Sequence, residues 1–299
     1  MKKIVVISGK GGTGKTVVTG ALAALSSNYT AHNDAFNNGA VMADCDVDAA
    51  DLHLLLNPAI REKHEFRAGV TAFIDQEKCT KCGKCRQVCR FSAIGEDFSI
   101  DSVSCEGCAF CSFVCPVGAI EMRENVSGEW FISDTRFGPL VHAKLGIAEE
   151  NSGKLVSLVR QEAEKIAKER KSDWVIIDGS PGIGCPVIAS LNGVDCALVV
   201  TEPTLSGLHD AKRVISVARH FGVMVKLAVN KYDLNIDVTK SIEEYCRAEN
   251  IQVLGKISFD KSIVEAMLKG ETIVESSSEE SKRQVKEVWE KLCCLTKDA

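Results

Sequence analysis

The stretch IVVISGKGGTGKT, from Ile4 to Thr16, decides the fold of this chain. Its apolar and β-branched start predicts a buried strand, its glycines a tight loop, and the residues after it a helix. The loop fits G-x-x-x-x-G-K-[ST], in which backbone N–H groups and the helix N-terminus cradle phosphate oxygens. The lysine of this pattern reaches the outer phosphates and the hydroxyl ligates Mg²⁺. The loop residues that we expect to bind a nucleotide are Gly9, Lys10, Gly11, Gly12, Thr13, Gly14, Lys15 and Thr16.

The bulk composition is that of an ordinary soluble protein. The chain has 299 residues, of which 45% are hydrophobic and 26% are charged. Its formal net charge of −5 gives no general attraction to nucleic acid or to anionic lipid. Its apolar runs are too short for a membrane-spanning helix, and its start lacks the pattern of a signal peptide. We therefore expect a cytoplasmic protein with no nucleic-acid partner and no stable membrane association.

Three aspartates follow predicted buried strands. Asp44 and Asp46 come after one apolar run, and Asp178 ends another. Carboxylates at strand ends beside a phosphate loop suit the binding of Mg²⁺ and the positioning of a water molecule. The predicted Mg²⁺ ligands are Thr16, Asp44 and Asp178.

Helix capping is the structural alternative for the acidic residues of this region. Aspartate is among the residues preferred at a helix N-cap, because its carboxylate accepts hydrogen bonds from unpaired N–H groups. The run Leu52–Leu56 predicts a short helix, and we assign its capping to Asp48 and Asp51.

A second lysine inside the phosphate loop narrows the family. Lys10 gives K-G-G-T-G-K-T, which resembles the deviant Walker A motif of the MinD/ParA/Mrp ATPases. The resemblance covers essentially the whole chain. It implies ATP or ADP as the nucleotide and a nucleotide-dependent homodimer. In that dimer Lys10 would reach the partner's phosphates, much as an arginine finger does.

The same resemblance implies roles for further residues. The D-x-D of Asp44 and Asp46 matches switch I, where Asp46 orients or activates the attacking water. The D-x-x-x-G from Asp178 to Gly182 matches switch II, whose glycine N–H meets the γ-phosphate. The catalytic residues so implied are Lys10, Lys15 and Asp46, and the nucleotide-binding residues outside the loop are Gly182, Asn230 and Lys231.

An internal repeat carries eight of the fourteen cysteines. Two copies of C-x₂-C-x₂-C-x₃-C lie 26 residues apart, which is the bacterial ferredoxin spacing for [4Fe–4S] ligation. Zinc is the rival, but it does not call for a third regularly spaced cysteine in both copies. The fourth cysteine of each copy is expected to ligate the other cluster. The predicted sets are Cys79, Cys82, Cys85 and Cys115 for one cluster, and Cys89, Cys105, Cys108 and Cys111 for the second.

The order of the motifs predicts the domains. Strands alternate with helices on both sides of the cysteine repeat, which indicates an α/β fold with a doubly wound, mostly parallel sheet. We expect a discontinuous P-loop ATPase domain over residues 1–65 and 125–299. A small α+β domain resembling a two-cluster bacterial ferredoxin would be inserted over residues 66–124.

Three functions fit these motifs. The favoured one is a Mg²⁺-dependent ATPase that couples its nucleotide state to electron transfer through two [4Fe–4S] clusters, with an unidentified redox partner. The second is an ATPase that assembles or carries iron–sulfur or other metallocofactors, with an assembly protein as partner. A MinD-like positioning ATPase with structural clusters is ranked last.

Overall fold

Nine strands form a single sheet in the computed structural model, which describes residues 1–31, 39–146 and 152–294. The strand order is β3-β4-β5-β2-β6-β1-β7-β8-β9, and the pairs β5-β2, β2-β6, β6-β1, β1-β7, β7-β8 and β8-β9 are parallel. The strands are β1 (Lys2–Ser8), β2 (Ala40–Asp44), β3 (Ala59–Ile74), β4 (Ile120–Thr135), β5 (Gly138–Leu145), β6 (Trp174–Pro181), β7 (Cys196–Thr201), β8 (Met224–Asn230) and β9 (Gln252–Ile257).

The helices connect these strands in the alternating order that the sequence predicts. They are α1 (Lys15–Ala31), α2 (Leu52–Leu56), α3 (Lys84–Val88), α4 (Phe110–Val114), α5 (Ser152–Arg170), α6 (Cys185–Leu191), α7 (Leu205–His220), α8 (Ile236–Ala248), α9 (Lys261–Leu268), α10 (Ile273–Ser276) and α11 (Glu279–Cys294). The predicted α/β fold with a mostly parallel sheet is confirmed. None of the helices in the described ranges has the length and hydrophobicity needed to cross a membrane.

The central strands are buried on both faces, which explains their continuous apolar runs. All of β2 and the last five residues of β1 are buried. Helix α11 places its apolar face in the same core, where Trp289 packs 5.1 Å from Trp174 between ring centroids. The charged helix α11 therefore packs on the core of the sheet through its regularly spaced apolar residues.

The chain divides into two compact units. The first, called here the nucleotide unit, comprises Met1–Lys63, Trp130–Lys144 and Ser152–Ala299, and is described to residue 294. The second, called here the cysteine unit, comprises His64–Glu129 and, among the described residues, 145–146. The predicted insert was 66–124.

Strands β3 and β4 run from one unit into the other, and the sequence analysis missed β3 altogether. The first half of β3 is polar and exposed, and only the half from Phe66 to Ile74 has the alternating buried residues of a half-buried strand. The two long strands are the covalent entry to and exit from the cysteine unit.

Candidate functional site

The phosphate loop spans the six residues between β1 and α1. Gly12 and Gly14 have positive φ values of 79° and 91°, which a glycine adopts readily. A Cβ at Gly14 would lie 2.2 Å from Asn230 Nδ2, so the glycine also permits a close approach between the loop and the end of β8. The Asn230 amide donates to the Thr13 carbonyl at 2.8 Å and ties the loop to that strand.

Lys15 stands at the centre of a buried polar network. Its Nζ lies 3.0 Å from Asp178 Oδ1 and 3.2 Å from Asp46 Oδ2. Asp178 also accepts hydrogen bonds from Thr16 Oγ1 at 2.7 Å and Thr19 Oγ1 at 2.9 Å. The structure therefore brings four of the predicted site residues and Thr19, which the sequence analysis did not single out, into one cluster at the carboxyl ends of β2 and β6.

Burial and charge act against each other on the titratable groups of this network. Burial alone would lower the pKa of Lys15, but the carboxylates of Asp178 and Asp46 outweigh it and the pKa is raised. Burial raises the pKa of Asp46 above that of a free aspartate, although the Lys15 charge opposes the shift. A lysine that stays charged is suited to binding phosphate. A carboxylate that takes up protons more readily is suited to accepting a proton.

Asp44 makes backbone hydrogen bonds that the sequence analysis did not predict. Its side chain is fully buried, and its two carboxylate oxygens accept from the backbone N–H groups of Asp46, at 3.1 Å, and Leu52, at 3.2 Å. The carboxylate thus fixes the loop that carries Asp46 and caps the start of α2. The capping that the sequence analysis assigned to Asp48 and Asp51 is not seen: Asp51 occupies the N-cap position but makes no side-chain capping bond.

A cavity of about 470 Å³ opens beside the phosphate loop, within the usual size of small-ligand sites. Asp46, Asn230 and Lys231 line it together with the loop. The other lining residues include Ser258, Phe259, Asp260, Ile263, Val264, Met267 and Ile273. The cavity thus combines the polar groups of the loop with apolar side chains, which are the surfaces that a phosphate and a planar base require.

One buried hydroxyl in this cavity shows where a ligand group would fit. Thr13 Oγ1 is buried and has no hydrogen-bond partner among the described residues. Buried polar groups are normally paired, because leaving one unpaired costs free energy. Together with Lys15, Thr16 and the aspartates, this free hydroxyl fits a Mg²⁺-bound phosphate chain.

Lys10 lies apart from this network. Its Nζ pairs with Glu202 Oε1 at 2.8 Å and donates to Ser206 Oγ at 3.0 Å. The other carboxylate oxygen of Glu202 binds Lys231 Nζ at 3.3 Å, and that ammonium also donates to the Gly12 carbonyl at 3.1 Å. Glu202 therefore holds both lysines at the rim of the loop.

The sequence analysis did not identify Glu202 as a site residue. The signal was available, because Glu202 directly follows β7 and ligand sites in parallel sheets form at the carboxyl ends of the strands. Gly182 has a backbone partner in this structure. Its N–H donates to the Ser8 carbonyl at 2.9 Å, so it would have to leave this bond to meet a phosphate.

The eight repeat cysteines gather at two narrow cavities in the cysteine unit. Of the cysteines, one cavity is lined by Cys79, Cys82, Cys85 and Cys115. The other is lined by Cys89, Cys105, Cys108 and Cys111. These are the two sets that the spacing predicts, with the fourth cysteine of each copy beside the other copy's three.

No three His, Cys, Asp or Glu side chains in the described part of the chain are grouped so that they could hold one metal ion. Each of the two cavities is lined by four cysteines, which is the ligand type that [4Fe–4S] clusters use.

The fold and the phosphate loop define a P-loop nucleotide-binding protein. The chain belongs to the CobQ/CobB/MinD/ParA nucleotide binding domain family, whose model matches residues 4–273. It is 34% identical over 295 residues to the uncharacterized protein MJ0578 of Methanocaldococcus jannaschii, covering 97% of this chain and 96% of the relative.

Solved structures share the fold. MinD of Pyrococcus horikoshii complexed with Mg-ADP has a TM-score of 0.59 at 20% identity, over 99% of this chain and 97% of that one. MinD in the MinC:MinD complex of Aquifex aeolicus has a TM-score of 0.59 at 16% identity, over 98% and 96%. These comparisons support the MinD/ParA class, whereas the sequence analysis ranked the MinD-like function last. They add no support for electron transfer.

Proposed function

We propose that this protein is a Mg²⁺-dependent ATPase whose nucleotide state controls electron transfer through two [4Fe–4S] clusters held by the cysteine unit. The observation that carries the proposal is the sorting of eight cysteines into two sets of four, each around its own cavity. The family and the Lys15 network support the ATPase half of the proposal. The cysteine sets alone support the cluster half.

The nucleotide unit supplies the groups for phosphoryl transfer. Lys15 would leave the Asp46 carboxylate and bind the outer phosphates of ATP. Thr16 and Asp178 would hold the Mg²⁺ that accompanies these phosphates. Asp46, freed from Lys15, accepts a proton from water as its oxygen bonds to the γ-phosphorus and the bond to the β–γ bridging oxygen breaks. Asp44 holds the Asp46 loop through the backbone bonds described above.

A second copy of the chain completes the site in this proposal. Lys10 leaves Glu202 and reaches the phosphates of the partner subunit, where its charge stabilises the transferring phosphoryl group. The Lys10–Glu202 pair is half-buried at the rim of the loop and can be exchanged, since ion pairs near the surface contribute about 1 kcal/mol or less. ATP binding and dimer formation are thereby linked.

The chain offers a direct connection from the nucleotide to the cysteine unit. The loop of Asp46 leads through α2 into β3, which enters the cysteine unit. Arg136, just after β4 returns, donates to the carbonyls of Leu55 and Leu56 at 2.8 and 2.9 Å and pairs with Glu275. Both strands that bound the insert are therefore tied to the segment that carries Asp46.

In this proposal the cysteine unit is stabilised mainly by the clusters that its cysteines bind. The clusters, when bound, supply one-electron redox chemistry. The thiolates of each set come from both repeat copies, so ligation would crosslink the two halves of the unit.

Metal analysis and hydrolysis assays test the two halves of the proposal separately. Anaerobically prepared protein is expected to carry iron and sulfide in equal amounts and to hydrolyse Mg-ATP. The variant C82S/C108S, which removes one ligand from each set, should lose iron, whereas C185S/C294S, which removes two other exposed cysteines, should keep it. Zinc in place of iron and sulfide, or no adenine nucleotide binding, would end the proposal.

Two other functions predict different behaviour. A cluster carrier would pass intact clusters to an apo-acceptor protein, and its redox activity would not depend on ATP. A MinD-type switch, which the comparisons favour, would bind a protein partner in the presence of ATP whether or not iron is bound. Transfer to apo-aconitase and pull-downs with iron-free protein separate these outcomes.

A further inference from the structure

The two copies of the cysteine repeat differ in charge at matched positions. At the 26-residue offset, five cations of the first copy correspond to neutral residues in the second. Lys78, Lys81, Lys84, Arg86 and Arg90 correspond to Ser104, Gly107, Phe110, Ser112 and Pro116. Thr80 of the first copy corresponds to Glu106, so the second copy has an anion where the first is neutral. The repeat is symmetric in its ligands and asymmetric in the charge around them.

These five cations form one exposed group, called here the basic face. All five side chains are exposed, and Lys84 lines the same cavity as Cys79, Cys82, Cys85 and Cys115. Lys78 pairs with Asp75 and Arg86 with Glu96. Lys81, Lys84 and Arg90 form no ion pair among the described residues, so the face keeps a net positive charge.

The equivalent surface of the second copy is apolar and acidic. Phe110 is 50% exposed and Phe113 is 84% exposed, and their rings stack at 6.3 Å. Glu106 and Phe110 line the cavity of the second cysteine set. A positively charged approach therefore exists to one cysteine set and not to the other.

Lys81 and its counterpart in the second copy share a backbone conformation but differ in residue type. Its φ is +55°, in the left-handed region that disfavours side chains other than glycine. The equivalent residue of the second copy, at a φ of +61°, is Gly107. The chain thus keeps a charged side chain at a position where glycine would cost less free energy.

We propose that the basic face is the docking surface for an acidic one-electron redox protein, which exchanges electrons with the cluster held by Cys79, Cys82, Cys85 and Cys115. The inference rests on the proposed function. A local positive face on a chain of net charge −5 orients an acidic partner and steers its approach. One electron moves between the reduced cluster and the oxidised partner, or in reverse, and no bond forms or breaks.

Small oxidants of opposite charge test the local field at this cluster. Reduced, cluster-loaded protein is mixed anaerobically with anionic iron(III)–EDTA or cationic hexaamminecobalt(III), each of which takes one electron. In the wild type, one kinetic phase should favour the anionic oxidant, and the advantage should shrink as salt is raised. The variant K81G/K84Q should reduce that advantage about tenfold at low ionic strength.

Matched variants make the outcome decisive. K240Q/K286Q removes the same charge from exposed helix positions of the nucleotide unit and should leave the ratio of the two rates unchanged.

Clusters that react with no charge preference, or a preference that K81G/K84Q leaves intact, would overturn the inference while the proposed function stands. Micromolar binding of a single-stranded oligonucleotide that K81G/K84Q abolishes would assign the face to nucleic acid instead. Protein without iron and sulfide would end both proposals.

Discussion

The two units of the chain prepare their sites in opposite ways. In the nucleotide unit, the Lys15 ammonium pairs with the carboxylates of Asp46 and Asp178, and the loop is anchored to a sheet whose central strands are fully buried. In the cysteine unit, one small cluster of buried apolar residues contains Ala72, Ile74, Cys85, Ile94, Phe98 and Ile120, with five more of the repeat cysteines packed against it. The charged groups of the nucleotide site are paired with one another without a ligand, whereas the cysteines predicted to bind clusters form part of the core of their own unit.

This difference indicates that ligand binding should contribute to the folding of the cysteine unit more than to that of the nucleotide unit. A small core cannot offset the conformational entropy of its chain, so small units often depend on metals. A P-loop in a large parallel sheet has no such need, because hydrophobic burial around it is extensive. Loss of the metal should therefore affect the two units unequally, and loss of Lys15 should affect the nucleotide unit.

The largest expected effect is that of removing iron. Anaerobic chelation should unfold the cysteine unit, because metal binding contributes on the order of 10 kcal/mol to small metal-dependent domains. Limited proteolysis should then cut within His64–Glu129 and leave the nucleotide unit intact. Equal protection of both units in iron-free protein would contradict the contrast between them.

The substitution K15A should be the most damaging single change in the nucleotide unit. It leaves the buried carboxylates of Asp178 and Asp46 without their counter-charge, which typically costs about 3–5 kcal/mol. Urea unfolding should show this loss, and nucleotide binding should disappear. K154A, at an exposed position of α5, is the control and should change stability by less than about 0.5 kcal/mol. An unchanged stability of K15A would mean that the network does not hold the site together.

Acid should weaken the nucleotide unit through His142. Burial, with His53 nearby, lowers the pKa of His142 to about 4. The unfolded chain then binds more protons between about pH 6.5 and pH 4, so stability falls as pH falls through that range, by up to about 3 kcal/mol. H142Q, whose amide can still bond to Ser133, should flatten the profile. H209Q, at an exposed histidine, should not, and a profile that H142Q leaves steep would assign the loss to other groups.

The smallest expected effect concerns Glu202. E202Q weakens the hold on Lys10 and Lys231, and so lowers the cost of moving Lys10 to a partner subunit. ATP-dependent dimer formation, measured by analytical ultracentrifugation, should strengthen by no more than about fivefold, as expected for a surface ion pair. E249Q, which breaks the exposed pair with Arg219, should have no effect on the dimer. A weaker dimer in E202Q would show that Glu202 supports the assembled state.

Sequence patterns predicted the parts of this molecule that depend on local chemistry. A phosphate loop has glycines and a lysine at fixed spacing, and the cysteine sets repeat at a fixed interval. Both patterns can therefore be recognised in the sequence alone. The role of Asp44 could not be read, because its carboxylate meets N–H groups that only the folded loop brings near it. Strand β3 was missed although Phe66, Ala68, Ala72 and Ile74 are buried on one face, because its first half is polar and exposed. Glu202 was missed because its partners are distant in sequence.

The central claim is that the nucleotide state acts on the clusters. The direct measurement is the rate at which reduced, cluster-loaded protein gives electrons to a neutral acceptor with Mg-ATP, with Mg-ADP and without nucleotide. The account predicts a faster rate with Mg-ATP than with Mg-ADP, and a rate independent of nucleotide in K15A. A wild-type rate that is the same under all three conditions would contradict it.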